Sequence, residues 1–488
     1  MGVSETLGKT ALRRRAWLKA GLCGAGVVVG RAYAQPAASS SQLQRLPKLA
    51  LVVGNSAYAS ANPLKNPRND ARAIASTLQG MGFEVATVLD APRATMQRSL
   101  AAYTAALERR KCVGLFFFAG HGVQLAWKNY LLPVDARVSG AGDLQEQGVE
   151  LNALMAGLAR AANPMNIVLL DACRDNPFGD FRPDQRGLSQ MDAPLNSILG
   201  YATAPGNTAS DGEGENGLYT GELLREMKVP AARIEDVFKR VRLAVRRRSA
   251  GAQIPWESTS LEDDYYFLPP PSLAPPSEAE TSRQFEAELK LWESIENATS
   301  VASFENYLRS YPSGRFAEIA QLELDQALAR EGEKPVQPAP AAGNPYSAGT
   351  VRANTEYKVG DFYTYAAHDL TSGAFKRRFT NTVTQITERE VIYNNGRSAT
   401  DLLGNITRFG DGRRATRNQT QPVEYAVGRQ WVSRYVITNA GGTEFQTELR
   451  FRIVGREKIT VPAGTFECFR IEGKGLSRAV FGLSLIHI

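Results

Sequence analysis

Residues 166–178 read NIVLLDACRDNPF: an apolar run that ends on an acid, a cysteine and then more charge. A continuous rather than alternating apolar run is what a strand covered on both faces requires. The carboxyl edge of an open α/β sheet is where polar working groups collect. A second such run, VGLFFFAGHG (113–122), ends on His121 between two glycines. Outward from these two, LALVVGN, NDARAIASTLQGMG, FEVATVLDA, TMQRSLAAYTAALERR and VELNALMAGLARA alternate apolar runs with amphipathic stretches. That order predicts a mainly parallel sheet with helices on both faces over residues 45–268.

The rest of the 488-residue chain divides by composition. LPPPSLAPPS marks a proline-rich linker over 269–282, and a helical segment follows over 283–331, with Phe285, Leu289, Trp292 and Ile295 at helical spacing. A second proline-rich linker, 332–345, precedes a β-rich region over 346–482, where turn signals separate short alternating segments and the pattern is cut short. Residues 483–488, LSLIHI, break that pattern and resemble the translation of a sequencing adapter, so His487 receives no role.

At the other end, residues 1–34 read as an export signal: RRRAWLKAG leads into the short apolar LCGAGVVVG and then AYA. The pattern Arg14-Arg15-Ala16-Trp17-Leu18-Lys19 looks like a twin-arginine signal, which implies a periplasmic or secreted protein exported already folded. The apolar core is shorter than the roughly 20 residues that span a bilayer, so no membrane span is expected after cleavage. The leader holds six cations and one acid, and its removal lowers the formal charge from +7 to about +2. Nucleic-acid binding loses its compositional support, and the cations of KRVRLAVRRR (239–248) read most simply as the solvated face of an amphipathic helix. Three cysteines remain, Cys112, Cys173 and Cys468. An odd number in an oxidising compartment leaves at least one thiol free or paired between chains.

The chain offers few routes to chemistry. Only His121 and His368 remain once His487 is set aside, and no His-Glu-x-x-His, paired Cys-x-x-Cys or Gly-x-Ser-x-Gly occurs, which removes the usual zinc and serine-hydrolase arrangements. GEGENG (212–217) fits a dinucleotide fingerprint only formally, because no strand precedes it and two glutamates occupy it. What is left is His121 and Cys173, each at the end of a predicted strand. A thiol whose free pKa lies near ~8.5 needs a neighbour such as histidine to act as a nucleophile. Gly120 and Gly122 let a peptide backbone approach, and the amides of Gly122 and Cys173 could form an oxyanion hole. The spacing alone equally allows Cys173 to be a buried structural thiol. Cys112, near ~30 Å from His121 along an extended strand, should not bridge Cys173.

These residues resemble caspase-like peptidases, specifically the bacterial relatives of metacaspases and paracaspases. The resemblance covers about 48–268 and rests on KLALVVGNSAY, PLKNPRNDA, FFFAGHGVQ, NYLLPVDA, LLDACRDNPF, YATAPGNTASDGEGENGLYT and QIPWESTSLEDDYYF, in that order. It implies a catalytic dyad of His121 and Cys173. It also implies cleavage after Arg or Lys, with Asp171 and Asp70 forming the acidic specificity pocket. Physical reasoning agrees for Asp171: two residues from Cys173 on one strand face, about 6.5 Å away, its charge disfavours a thiolate unless a cation, such as a substrate Arg, answers it. Asp171 capping the following turn is the alternative. The chemistry requires no cofactor. Asp211, Glu213, Glu215 and Glu222 are loosely spaced like a calcium loop, with Asn216 at the glycine position, and leave calcium activation open. Arg182 and Arg186 are candidate self-cleavage sites in a stretch that also reads as an ordinary exposed loop.

The expectation is an exported cysteine endopeptidase acting on protein or peptide substrates with basic residues. The rival is a non-catalytic scaffold whose helical and β regions bind partners at the envelope.

Overall fold

The computed structural model describes residues 40–173, 187–207, 214–274, 276–339, 341, 343–368, 372–479 and 482–487; for Cys173, His368 and the last strand this means the backbone. The leader (1–34), Arg182, Arg186, Asp211 and Glu213 lie outside the described residues. Two compact units result, one formed by 35–313 with 324–349, the other by 314–323 with 350–488.

The first unit runs α1 (Ser40–Arg45), β1 (Lys48–Gly54), α2 (Pro67–Gly80), β2 (Glu84–Leu89), α3 (Arg93–Arg110), β3 (Val113–Leu125), β4 (Lys128–Leu131), α4 (Ala141–Gln147), β5 (Val149–Glu150), α5 (Leu151–Ala161), β6 (Met165–Cys173), β7 (Ser197–Tyr201), α6 (Leu218–Glu226), α7 (Ile234–Arg248) and β8 (Trp256–Thr259). Helices α8 (Glu278–Ile295), α9 (Val301–Ser310) and α10 (Ala317–Arg330) follow. The strand order is β2-β1-β3-β6-β7-β8, parallel except for β8. The chain leaves β1 to one side for β2 and returns on the other for β3, so the order reverses beside β1, where such sheets open a crevice at their carboxyl ends.

The continuous apolar runs have a direct cause. On β3, Leu115 and Phe117 enter the core formed with α2, α6 and α7, while Phe116 and Phe118 enter a second core with α3 and α5. Both sides of the strand are dry, so alternation would leave polar groups without water. Helix α2 follows the same logic: Pro67 sits at its start, Ala71, Ile74, Ala75 and Leu78 are buried at helical spacing, and Gly82 at φ +84° turns the chain away.

Two expectations are corrected here. Strand β3 does not end at Gly120; it continues to Leu125 because its last residues exchange their partner from β6 to the antiparallel β4, Gly122 facing Leu131. The cations of 239–248 are also not a simply solvated face. Arg246 is buried between Asp325 and Glu333, Arg247 meets Glu305, Arg248 meets Glu222, and Arg242 pairs with Glu257 and lies over the Trp256 ring. Acids on α6, β8, α9 and α10 and just beyond α10 take up these charges.

Apart from the first half of α10 (317–323), the second unit is β, with a ten-stranded antiparallel sheet running from Phe362–His368 to Gly482–His487 and a two-stranded ribbon of Thr350–Arg352 with Glu424–Ala426. Its core stacks Trp431 on Phe451 beside Leu449 and Ile453. Among the described residues no helix is long and apolar enough to cross a membrane.

Candidate active site

The backbone of β3 and β6 is in parallel register from Val113 opposite Met165 to His121 opposite Cys173. Neighbouring strands lie about 4.8 Å apart, so the two residues are as close as adjacent strands allow. Cys173 is the last residue of β6, and His121 stands where β3 exchanges β6 for β4. Cys112, at the other end of β3, is fully buried, and burial pushes its thiol pKa up. It is a structural thiol, as is the buried Cys468 of the other unit.

The loop after β1 fixes His121. Buried Asn55 donates to the Leu132 carbonyl (2.9 Å) and accepts from the Ala91 amide (2.9 Å), and Asp90 accepts from the amides of Ser56 and Ala57. This holds Tyr58 and Asn62 over the imidazole. The Tyr58 hydroxyl accepts the His121 amide at 2.7 Å, and the two rings pack with centroids 4.5 Å apart. His121 Nε2 lies 2.8 Å from the Asn62 carbonyl oxygen. A carbonyl only accepts, so Nε2 carries a proton and Nδ1 is the basic nitrogen of the neutral ring. Gly120 is required here: a Cβ would come within 2.5 Å of the Tyr58 hydroxyl, and its φ is +154°. Gly122 is also closely packed, with Ala172 and Leu188 each 3.0 Å from where its Cβ would be.

Tyr58→Phe should therefore strand a buried amide. A loss of about 1–3 kcal/mol of stability is expected, measured by denaturant unfolding, together with a fall in kcat at nearly constant KM.

The two acids converge on one helix start. Asp70, 2% exposed in the first turn of α2, accepts from the Gly217 amide (3.0 Å) and from Asn216 Nδ2 (2.9 Å). Asp171, 7% exposed on β6, accepts the Thr220 hydroxyl at 2.6 Å. Gly217 is the N-cap of α6 and Thr220 lies in its first turn, so the two carboxylates share α6 as a common wall. Burial and then the Asp171 charge push the Tyr219 hydroxyl pKa well up, so this phenol stays protonated beside the acid. Glu222, read above as part of a calcium-like loop, instead lies buried in α6 with its carboxylate against Arg225 and Arg248. Among the described residues no three His, Cys, Asp or Glu side chains are grouped to hold a metal. His368 ends a strand of the other unit.

Sequence reasoning missed Tyr58, Asn62, Asn216, Gly217 and Thr220 as members of the site. NSAY and ENGLYT carried a signal for Tyr58 and for the α6 start, but Asn62 acts through its backbone and leaves none.

Residues 47–266 match the family model described as the caspase domain. The human mucosa-associated lymphoid tissue lymphoma translocation protein 1 is 27% identical over 182 residues, 37% of this chain and 21% of that protein, and the mouse homolog matches equally. The match thus spans about a fifth of the length of these curated relatives. A solved structure, caspase-1 from Spodoptera frugiperda, is similar over 49% of this chain and 96% of its own, at TM-score 0.38 and 13% identity. Through residues 47–266 the chain is thus similar to caspase-like, paracaspase-related proteins. The matching model is that of a peptidase domain, and the residues it matches are those of the α/β sheet unit.

Proposed function

We propose that the protein is an exported cysteine endopeptidase that hydrolyses peptide bonds after Arg or Lys. The observation that carries this reading is the register placing His121 opposite Cys173 on adjacent parallel strands. The Cys173 thiolate attacks the carbonyl carbon, and the amides of Gly122 and Cys173 hold the developing oxyanion. The C–N bond breaks as the His121 imidazolium, oriented by the Asn62 carbonyl, protonates the leaving amine. Water then cleaves the thioester, with His121 taking its proton, and releases the new carboxylate and the free thiol. Asp70 and Asp171 receive the substrate cation, whose charge also offsets that of Asp171 beside the thiolate. No cofactor enters these steps. Export rests on the leader motif, and a fusion of residues 1–34 to a reporter should be exported only while Arg14 and Arg15 are intact.

The test is release of a fluorophore from an Arg-terminated peptide amide and not from an Asp-terminated one. Equal behaviour of wild type and Cys173→Ala would move the reading to a non-catalytic scaffold.

A further inference from the structure

The second proline-rich stretch does not hang free. Its described residues are hydrogen-bonded to two segments of the sheet unit, one of which packs against Gly122. The first is 187–192, between β6 and β7. Leu188 there is fully buried, in the cluster containing Ala172 and Leu131, and its Cδ2 is 3.0 Å from where a Cβ on Gly122 would stand. Ser189 is held from one side by Asn129, which accepts its amide (2.7 Å) and donates to its carbonyl (2.9 Å). From the other side Asn344 Nδ2 donates to Ser189 Oγ (3.1 Å) and to the Gln190 carbonyl (2.8 Å), while Asn344 Oδ1 accepts the Tyr346 amide (2.9 Å). The Tyr346 carbonyl accepts the Asp192 amide, and the Asp192 carboxylate accepts the Ser347 hydroxyl (2.6 Å) and the Ala348 amide (2.8 Å).

The second segment is 204–207, which follows β7 and precedes Asn216 and Gly217 of the acidic pocket in sequence. The Ala339 amide donates to the Pro205 carbonyl (2.8 Å), and Asn207 Nδ2 donates to the Gln337 carbonyl (2.7 Å). Ala339 sits so close over Gly206 that a Cβ there would lie 2.4 Å from its own. A narrow cleft lined by Gln124, Trp127, Leu188, Gly206, Ala339 and Asn344 runs where the strap meets these segments.

We infer that the described residues of 336–348 (336–339, 341 and 343–348) form a strap that sets the position of both walls of the active site, with Asn344 as the positioning residue. The inference rests on the reading of His121 and Cys173 as the catalytic pair. The physical sequence is short. Asn344 holds Ser189 and Gln190, these seat Leu188, and Leu188 packs against Gly122, whose amide is assigned to the oxyanion. Ala339 and Gln337 meanwhile hold 204–207, which precedes the Asn216–Gly217 wall of the specificity pocket in sequence. The strap acts through the walls it holds.

Asn344→Asp in the full chain tests this. The substitution keeps the shape and the acceptor for the Tyr346 amide, removes both donated bonds, and sets a carboxylate against the Gln190 carbonyl. The expected result is faster hydrogen exchange at the amides of Ser189, Asp192 and Gly206. With it, kcat per titrated active-site thiol should fall about tenfold or more on an Arg-terminated peptide amide, with KM nearly unchanged and the melting temperature within about 4 °C of wild type. Ala339→Pro, which removes the other anchoring amide, should quicken exchange at Gly206 and lower kcat in the same way. Wild-type kcat alongside faster exchange would overturn the inference by reducing the strap to a structural role; unchanged exchange would overturn it at its base. If the wild-type enzyme has no Cys173-dependent hydrolysis, the functional reading fails separately, and exchange alone decides whether the strap holds the walls.

Discussion

Replacing Cys173 with Ala is expected to lower kcat/KM toward an Arg-terminated peptide amide by at least about 10⁴-fold and to leave the fold intact, because attack on the carbonyl has no substitute once the sulfur is gone. His121→Ala should lose a similar factor, and the double variant little more than either alone, since the two act as one unit. Steady-state assays on all three variants, each with a melting curve, check this. Thiol alkylation adds an independent reading: Cys112 and Cys468 are buried with their pKa values raised, so inactivation by an Arg-directed alkylating peptide should follow modification of Cys173 alone. Additive losses in the double variant would instead separate His121 from the thiol and break the pairing drawn from the register.

The sheet unit was legible because its signals are periodic. Continuous runs such as VGLFFFAG must have two dry faces, and the amphipathic stretches between them supply the covering helices. The places where His121 and Cys173 stand follow from the same logic, since strand ends are visible where apolar runs stop. The extension of β3 to Leu125 was hidden, because the apolar run stops at Gly-His-Gly and only the antiparallel β4 supplies the hydrogen bonds that continue the strand. Likewise the stretch 332–345 reads as a linker from its Pro, Ala and Gly content. It is seated by backbone groups and by one Asn, and neither produces an apolar pattern. The cations of 239–248 misled for a related reason: their partners Glu222, Asp325 and Glu333 lie far away in sequence, and a helical wheel cannot show what packs against it.

Asp171→Asn is expected to separate charge recognition from the acid's structural duty. The substitution preserves an oxygen that can accept the Thr220 hydroxyl and removes only the negative charge, so the α6 start should stay in place. If the carboxylate answers a substrate guanidinium in a site this enclosed, losing it leaves a cation buried without its partner, a cost of about 2–5 kcal/mol, or roughly 30- to 4,000-fold in kcat/KM for an Arg substrate. A citrulline-ended peptide, matched in shape but neutral, should lose far less, and the preference for Arg over citrulline should narrow by the same factor. Asp70→Asn should show the same selectivity with a smaller loss. Its two donors, Gly217 and Asn216, neutralise part of its charge before any substrate arrives, so less of its field is available to the guanidinium. The comparison turns on ratios, because a residue that merely capped the turn would lower hydrolysis of both peptides by one common factor, and that outcome would return Asp171 to the scaffold of the fold.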